Sequence, residues 1–161
     1  HYFMNYAVLL LSLQRTVHML IERRKQFIKP ISEVKMKKVP HIIFVDDELN
    51  WVYTVKEIGN ILGFNITITT DPREVPRLLA NGEYDLLITD IRMPEKSGFE
   101  LIRKVRRKYK NLPIIIVTGF DTDKLHRQAK ALNVQKVMIK PFRISDLENI
   151  IARFLNIKIP D

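Results

Sequence analysis

The sequence predicts an open α/β sheet, doubly wound, whose strands run parallel under helices on both faces. Three observations lead there. From residue 41 onward, short apolar runs rich in β-branched residues alternate with longer helical stretches, about five times over. Two of the runs, Ile42-Ile43-Phe44-Val45 and Ile114-Ile115-Ile116-Val117, are apolar without a break, as expected of strands covered on both sides. Glycine, asparagine and proline fall where such elements have to stop.

Taken in order, the predicted strands are His41–Val45, Phe64–Thr70, Asp85–Thr89, Pro113–Thr118 and Gln135–Ile139. The predicted helices between and after them are Leu49–Leu62, Glu74–Ala80, Phe99–Lys110, Thr122–Leu132 and Ser145–Leu155. Gly63 suits a left-handed stop for the first helix, and Asn133 does the same for the fourth. Asp71-Pro72 reads as an N-cap followed by a first-turn proline. Pro76, however, sits where a settled helix needs an N–H, so the second helix should be short or start late. Ser145 with Glu148 three residues on forms a capping box for the last helix. No internal repeat or low-complexity linker interrupts the pattern.

Length and composition agree with one globular domain plus an extension: 161 residues, 46% hydrophobic and 28% charged. With no cysteine, disulfides, thiolate metal sites and cysteine catalysis are excluded, and a reducing cytoplasm fits. His1, His18, His41 and His126 show no ligand spacing. The net charge of +9 suggests nucleic acid or an anionic surface as a partner. Its distribution weakens that reading, because residues 1–38 carry eight Lys/Arg against two acids and the remainder nineteen against sixteen. The run Arg103-Lys104-Val105-Arg106-Arg107-Lys108 is broken by an apolar residue at helical spacing, and a solvated helix face is its expected meaning.

In a doubly wound sheet, ligands sit beyond the carboxyl ends of the strands, so the residues ending each strand carry the chemistry. The first strand ends in Asp46-Asp47-Glu48, the third in Asp90, the fourth in Thr118-Gly119 and the fifth in Lys140-Pro141. Singly, each has a plain reading as helix-terminus charge, turn chemistry or a surface lysine. Parallel strands bring all four ends to one edge, where the carboxylates would repel one another unless a cation neutralised them. A hard, oxygen-only cluster suits Mg²⁺. A carboxylate facing a metal and a lysine is set for phosphoryl transfer, with Asp90 as nucleophile, Lys140 stabilising charge and Thr118 donating to a phosphoryl oxygen. No base is needed, since a carboxylate is ionised at neutral pH.

Phe44-Val45-Asp46-Asp47-Glu48, Asp90-Ile91-Arg92-Met93-Pro94 with Gly98, Thr118-Gly119 and Lys140-Pro141-Phe142 resemble the receiver-domain signature of bacterial and archaeal response regulators, over residues 40–156. The resemblance implies a five-stranded parallel sheet of flavodoxin-like order 2-1-3-4-5, as in chemotaxis receivers. It implies Mg²⁺ on Asp46, Asp47 and Asp90 with the Arg92 backbone carbonyl, phosphorylation of Asp90, a switch hydroxyl on Thr118, an ion-pair partner in Lys140 and a cis Lys140-Pro141 peptide. Implied partners are a sensor histidine kinase or phosphotransfer protein, together with a separate output protein or a second copy; no nucleic acid is expected, because too little follows Leu155 for a helix-turn-helix. The expected location is cytoplasmic, with no turnover of a free substrate. One position departs from the pattern: Val137 stands three residues before Lys140, where the family carries Tyr or Phe, and Phe120 or Phe142 would have to replace that ring.

Two other readings compete. A haloacid-dehalogenase-type phosphatase also uses an aspartyl phosphate, Mg²⁺, a hydroxyl and a lysine, but requires two aspartates two residues apart where this chain has the adjacent Asp46-Asp47. A receiver-like interaction module would keep the fold without the chemistry. Residues 1–38 are set apart from the domain of 39–161. Tyr6, Leu9, Leu10, Leu13, Val17, Leu20 and Ile21 form one helical stripe opposite Ser12, Arg15, Thr16 and Glu22. Three readings of this segment stay open: an amphipathic helix that packs on the domain or pairs two copies, a membrane-associated segment, or a leader foreign to the native product.

Overall fold

The apolar runs become five strands, β1 (His41–Val45), β2 (Asn65–Thr69), β3 (Leu86–Thr89), β4 (Ile114–Thr118) and β5 (Lys136–Ile139). They form one sheet in the order β2-β1-β3-β4-β5, and every pairing is parallel. The helices are α1 (Leu49–Leu62), α2 (Val75–Asn81), α3 (Gly98–Lys108), α4 (Asp123–Ala131) and α5 (Ile144–Leu155). The structure, a computed structural model, describes residues 39–94 and 97–155, with Arg15 and Met19 as isolated positions. The expectations for residues 1–38 lie outside the described residues. Among the described residues, no helix is long and apolar enough to cross a membrane.

Alternation along the strands sorts the core into two layers. Ile43 and Val45 of β1, Leu87 of β3 and Ile114 and Ile116 of β4 face Val75, Leu79, Ile102, Val105 and Leu125 of α2, α3 and α4. Ile42, Phe44, Leu86, Ile88, Ile115 and Val117 face Val52 and Val55 of α1 and Leu147 and Ile151 of α5. Each fully buried aliphatic side chain contributes about 1.5–3 kcal/mol relative to exposure. The continuous apolar runs are therefore strands used on both faces.

Gly63 closes α1 at φ 77°, and Asn133 follows α4 at φ 52°, as the stop signals require. Two starts differ from expectation. Asp71-Pro72 does not begin α2; Asp71 closes a turn instead, its carbonyl accepting from Glu74 N at 3.1 Å and its Oδ1 from Arg73 N at 2.8 Å. The helix begins only at Val75, which puts Pro76 in its first turn, where a missing N–H costs nothing. At α5 the helix starts one residue early, at Ile144, so Ser145 lies inside it. Asp146 Oδ2 accepts from Arg143 N at 3.2 Å and fills the role assigned to the Ser145–Glu148 box. Elsewhere α2 runs one residue further than expected, to Asn81, and α3 starts one earlier, at Gly98, while the remaining bounds coincide with the expected ones or fall one or two residues inside them. Ser97 caps α3 by accepting from Phe99 N, and Thr122 caps α4 by accepting from Leu125 N.

The basic run on α3 is only partly a solvated face. Arg106 donates to the carbonyls of Leu132 (3.1 Å), Tyr109 (3.1 Å), Leu112 (2.5 Å) and Asn133 (2.8 Å), and to Gln135 Oε1 (3.3 Å). It ties the carboxyl end of α3 to that of α4 and to the start of β5. Burial pushes its pKa down from the usual arginine value. Arg103, Lys104, Arg107 and Lys108 are exposed, as expected.

Candidate functional site

The register places the site. Val45 pairs with Thr89, and Thr118 with Ile139, so the residues that follow β1, β3 and β5 emerge at one edge. The order reverses between β1 and β3, where a doubly wound sheet opens its crevice. Asp46 and Asp90 stand at that point. Asp90 N donates to Val45 O at 2.9 Å, which fixes the two aspartates side by side.

Lys140 reaches across from β5. Its backbone N donates to Thr118 O at 2.8 Å, extending the β4–β5 ladder, and the following peptide to Pro141 is cis. The ammonium donates to Asp46 Oδ2 at 2.5 Å and Asp90 Oδ2 at 3.1 Å, and lies 3.7 Å from Glu48 Oε2. The other carboxylate oxygens are held by the backbone. Asp46 Oδ1 accepts from Glu48 N at 3.0 Å, and Asp90 Oδ1 accepts from Ile91 N at 2.5 Å and Arg92 N at 2.9 Å.

Burial dominates the electrostatics of Asp46. Its side chain is fully enclosed, and desolvation pushes its pKa up to about 6, although the Lys140 hydrogen bond pulls the other way. For Lys140, burial works to lower the pKa, but the hydrogen bond and charge of Asp46, joined by Asp90, outweigh it and raise the ammonium's pKa. One cation thus serves two buried carboxylates and stands close to a third, which leaves the cluster short of positive charge.

The other expected residues divide. Thr118 is buried at the same edge, and its Oγ1 accepts from Phe120 N at 3.4 Å, which leaves its hydroxyl proton available. Arg92 is exposed, with its guanidinium carbon 3.2 Å from the Phe120 ring centroid. Asp47 is exposed and does not join the ammonium that gathers Asp46 and Asp90. Among the described residues, no group of three His, Cys, Asp or Glu side chains is placed to hold a metal. Lys140 takes the space between Asp46 and Asp90. The donor chemistry nonetheless fits a hard cation: oxygen ligands only, one of them a buried carboxylate whose charge the lysine does not fully offset.

Gly98, which accompanies the Asp90 motif, has a steric reason. A Cβ there would lie 2.1 Å from the Asp90 carbonyl oxygen, so α3 approaches the Asp90 loop as closely as backbone allows. Val137 is half-buried and packs with the α2–α3–α4 layer. Phe142 packs on the opposite layer, edge-on to Trp51, and so does not fill the place of a ring at 137. Sequence reasoning missed Trp51, which lies beside the Lys140 ammonium and packs on Phe142. The spacing of an aromatic one turn into α1 and another two residues past Lys140 was the available signal.

The chain matches the family described as response regulator receiver domain over residues 42–152. It is 29% identical over 124 residues to the aerobic respiration control protein ArcA of Escherichia coli strain K12, covering 74% of this chain and 52% of ArcA. The chain thus spans about half the length of that curated relative. Chemotaxis protein CheY4 of Vibrio cholerae superposes with a TM-score of 0.69 at 25% identity, covering 72% of this chain and 98% of CheY4. Response regulator protein TrrA of Thermotoga maritima, solved in complex with Mg(2+)-BeF, gives 0.66 at 28% identity, covering 72% and 99%. These likenesses do not favour the dehalogenase-type or phosphorylation-free readings. The family acts in two-component signalling, binds Mg²⁺, interacts with histidine kinases and output domains, and does not in general turn over a substrate. By sequence match, sheet order and the residues at its strand ends, the chain belongs to the response regulator receiver domain family.

Proposed function

We propose that this chain receives a phosphoryl group on Asp90 from a partner histidine kinase, a phosphotransfer protein or a small phosphodonor, and signals by the rearrangement that follows. The observation that carries this reading is the single ammonium of Lys140 held between Asp46 and Asp90. Asp90 Oδ1 is fixed by two backbone N–H groups, whereas Oδ2 is held by Lys140, so Oδ2 is the oxygen that attacks. A P–O bond forms to Oδ2 while the bond from phosphorus to the donor's nitrogen or oxygen breaks, and the donor leaves with the electron pair. Lys140 turns from the Asp46 carboxylate toward the phosphoryl oxygens, and Thr118 donates its hydroxyl proton to one of them.

Asp46, Asp47 and Asp90 with the Arg92 carbonyl would hold Mg²⁺, with Asp47 joining from its exposed position. The ion supplies charge neutralisation for the incoming phosphoryl group. TrrA, solved with Mg(2+)-BeF, supports the same ligand class here. No free substrate is turned over; the product is the modified chain, in the cytoplasm, acting on an output protein or a second copy. Acetyl phosphate with Mg²⁺ should add one phosphoryl group, about 80 Da by intact mass, to the wild type and none to Asp90→Asn. An equal adduct on the variant would move the acceptor elsewhere.

A further inference from the structure

Trp51 is the only tryptophan in the chain, and it stands beside the lysine of the site. It lies in the first turn of α1, half-buried, three residues past Glu48. Its ring meets Phe142 edge-on, with centroids 5.2 Å apart and planes at 73°. The Lys140 ammonium lies over the Trp51 ring, 5.4 Å from its centroid. Phe142 follows Lys140 by two residues, so its ring anchors the segment carrying the lysine against Trp51, and the Trp51 ring faces the charge at the lysine's tip.

The indole N–H argues against a packing role alone. Trp51 Nε1 is buried with no hydrogen-bond partner, the one side-chain polar atom in that condition among the described residues. An unpaired buried donor destabilises the fold. Phenylalanine or leucine would supply apolar packing there without a buried donor. What tryptophan offers in return is the ring face that attracts a cation most strongly.

We propose that Trp51 is a positioning residue for Lys140, with Phe142 holding the ring in place; the inference rests on the phosphoryl-acceptor reading above. The ammonium is drawn along a row of carboxylates from Asp90 through Asp46 toward Glu48, whose side chain is 50% exposed. Drift toward Glu48 takes the charge away from Asp90. The indole attracts the ammonium without accepting a directional hydrogen bond, so it confines the charge near both buried carboxylates while leaving it free to turn from one to the other.

The test uses the full chain with acetyl phosphate and Mg²⁺, followed by intact mass over time at several donor concentrations. Trp51→Leu should slow the saturating phosphorylation rate roughly three- to tenfold, the scale of one partly desolvated cation–π contact, with the half-saturating donor concentration unchanged. Trp51→Phe keeps a ring face and loses the unpaired N–H. It should recover most of the rate and melt no lower than wild type. Equal slowing in the two variants, or no slowing in Trp51→Leu, overturns the proposal. Wild-type emission provides a check that needs no variant: the Trp51 spectrum should shift when beryllofluoride with Mg²⁺ draws Lys140 toward Asp90. An unchanged spectrum, with bound beryllofluoride seen by fluorine NMR, overturns it as well. Asp90→Asn separates the two levels. If wild type is modified and Asp90→Asn is not, the acceptor reading stands and the Leu–Phe comparison alone decides; if neither is modified, both readings fall.

Discussion

Arg106 and Lys140 are both partly buried cations that bridge elements far apart in sequence, yet their surroundings are opposite. Arg106 spends its N–H groups on four backbone carbonyls and one amide oxygen, all neutral. Lys140 meets carboxylates, and more of them than one charge can satisfy. Burial lowers the pKa of Arg106, while Asp46 and Asp90 raise that of Lys140 against the effect of burial. A planar fork donating to fixed carbonyls has one good arrangement. A point charge among competing carboxylates has several of similar energy. The first region is built to stay as it is, and the second to exchange partners when charge arrives.

Removing Arg106 should give the largest effect. Arg106→Met takes one donor from each of five oxygens at the ends of α3 and α4 and the start of β5, and denaturant unfolding should show a loss of about 2–4 kcal/mol. Arg106→Lys should recover less than half of it, since an ammonium cannot span those acceptors. Phosphorylation at a temperature where Arg106→Met remains folded should stay close to wild type. A large rate loss there would break the division between the two regions.

Asp46 sets the pH dependence of the other region. Its folded pKa near 6 lies above the usual 3.8, so the native state holds this proton more tightly than the unfolded chain does. The sign follows: stability contributed by this group is present at low pH and is lost as pH rises through about 4 to 6. In metal-free buffer, the stability of Asp46→Asn relative to wild type should therefore increase by about 1–3 kcal/mol between pH 4 and pH 7. A constant difference across that range would show that Lys140 already neutralises Asp46.

The smallest effect concerns the frame rather than either cation. Thr122→Ala removes the oxygen that accepts from Leu125 N at 3.1 Å. It should cost about 1 kcal/mol in unfolding, with no change in phosphorylation. A rate change there would mean that the α4 cap is coupled to Thr118.

The two regions were unequally legible in the sequence. Asp46, Asp90, Thr118 and Lys140 could be placed because each ends an unmistakable apolar run, and parallel strands leave little freedom over where such ends meet. Asp47 was grouped with Asp46 by adjacency, but neighbouring residues past a strand end diverge, and the structure leaves it exposed. Arg106 was hidden within a basic run. Its position four residues after Ile102 and seven after Phe99 puts it on the buried stripe of α3, where an arginine must find acceptors. Three of the five acceptors lie on Leu132, Asn133 and Gln135, whose approach depends on the completed fold. The start of α5 was misread because Asp146 and Glu148 are equivalent in pattern, and only the backbone path decides which one caps.

The difference between the two cations is tested most directly by ¹H–¹⁵N spectra of one sample with and without beryllofluoride and Mg²⁺. Large shifts are expected at Asp46, Asp90 to Arg92, Thr118 to Phe120 and Lys140 to Phe142, smaller ones at Val137, and an Arg106 Nε–H signal that does not move. An Arg106 signal shifting as far as the Thr118 amide, or a silent site around Asp90, would contradict that difference.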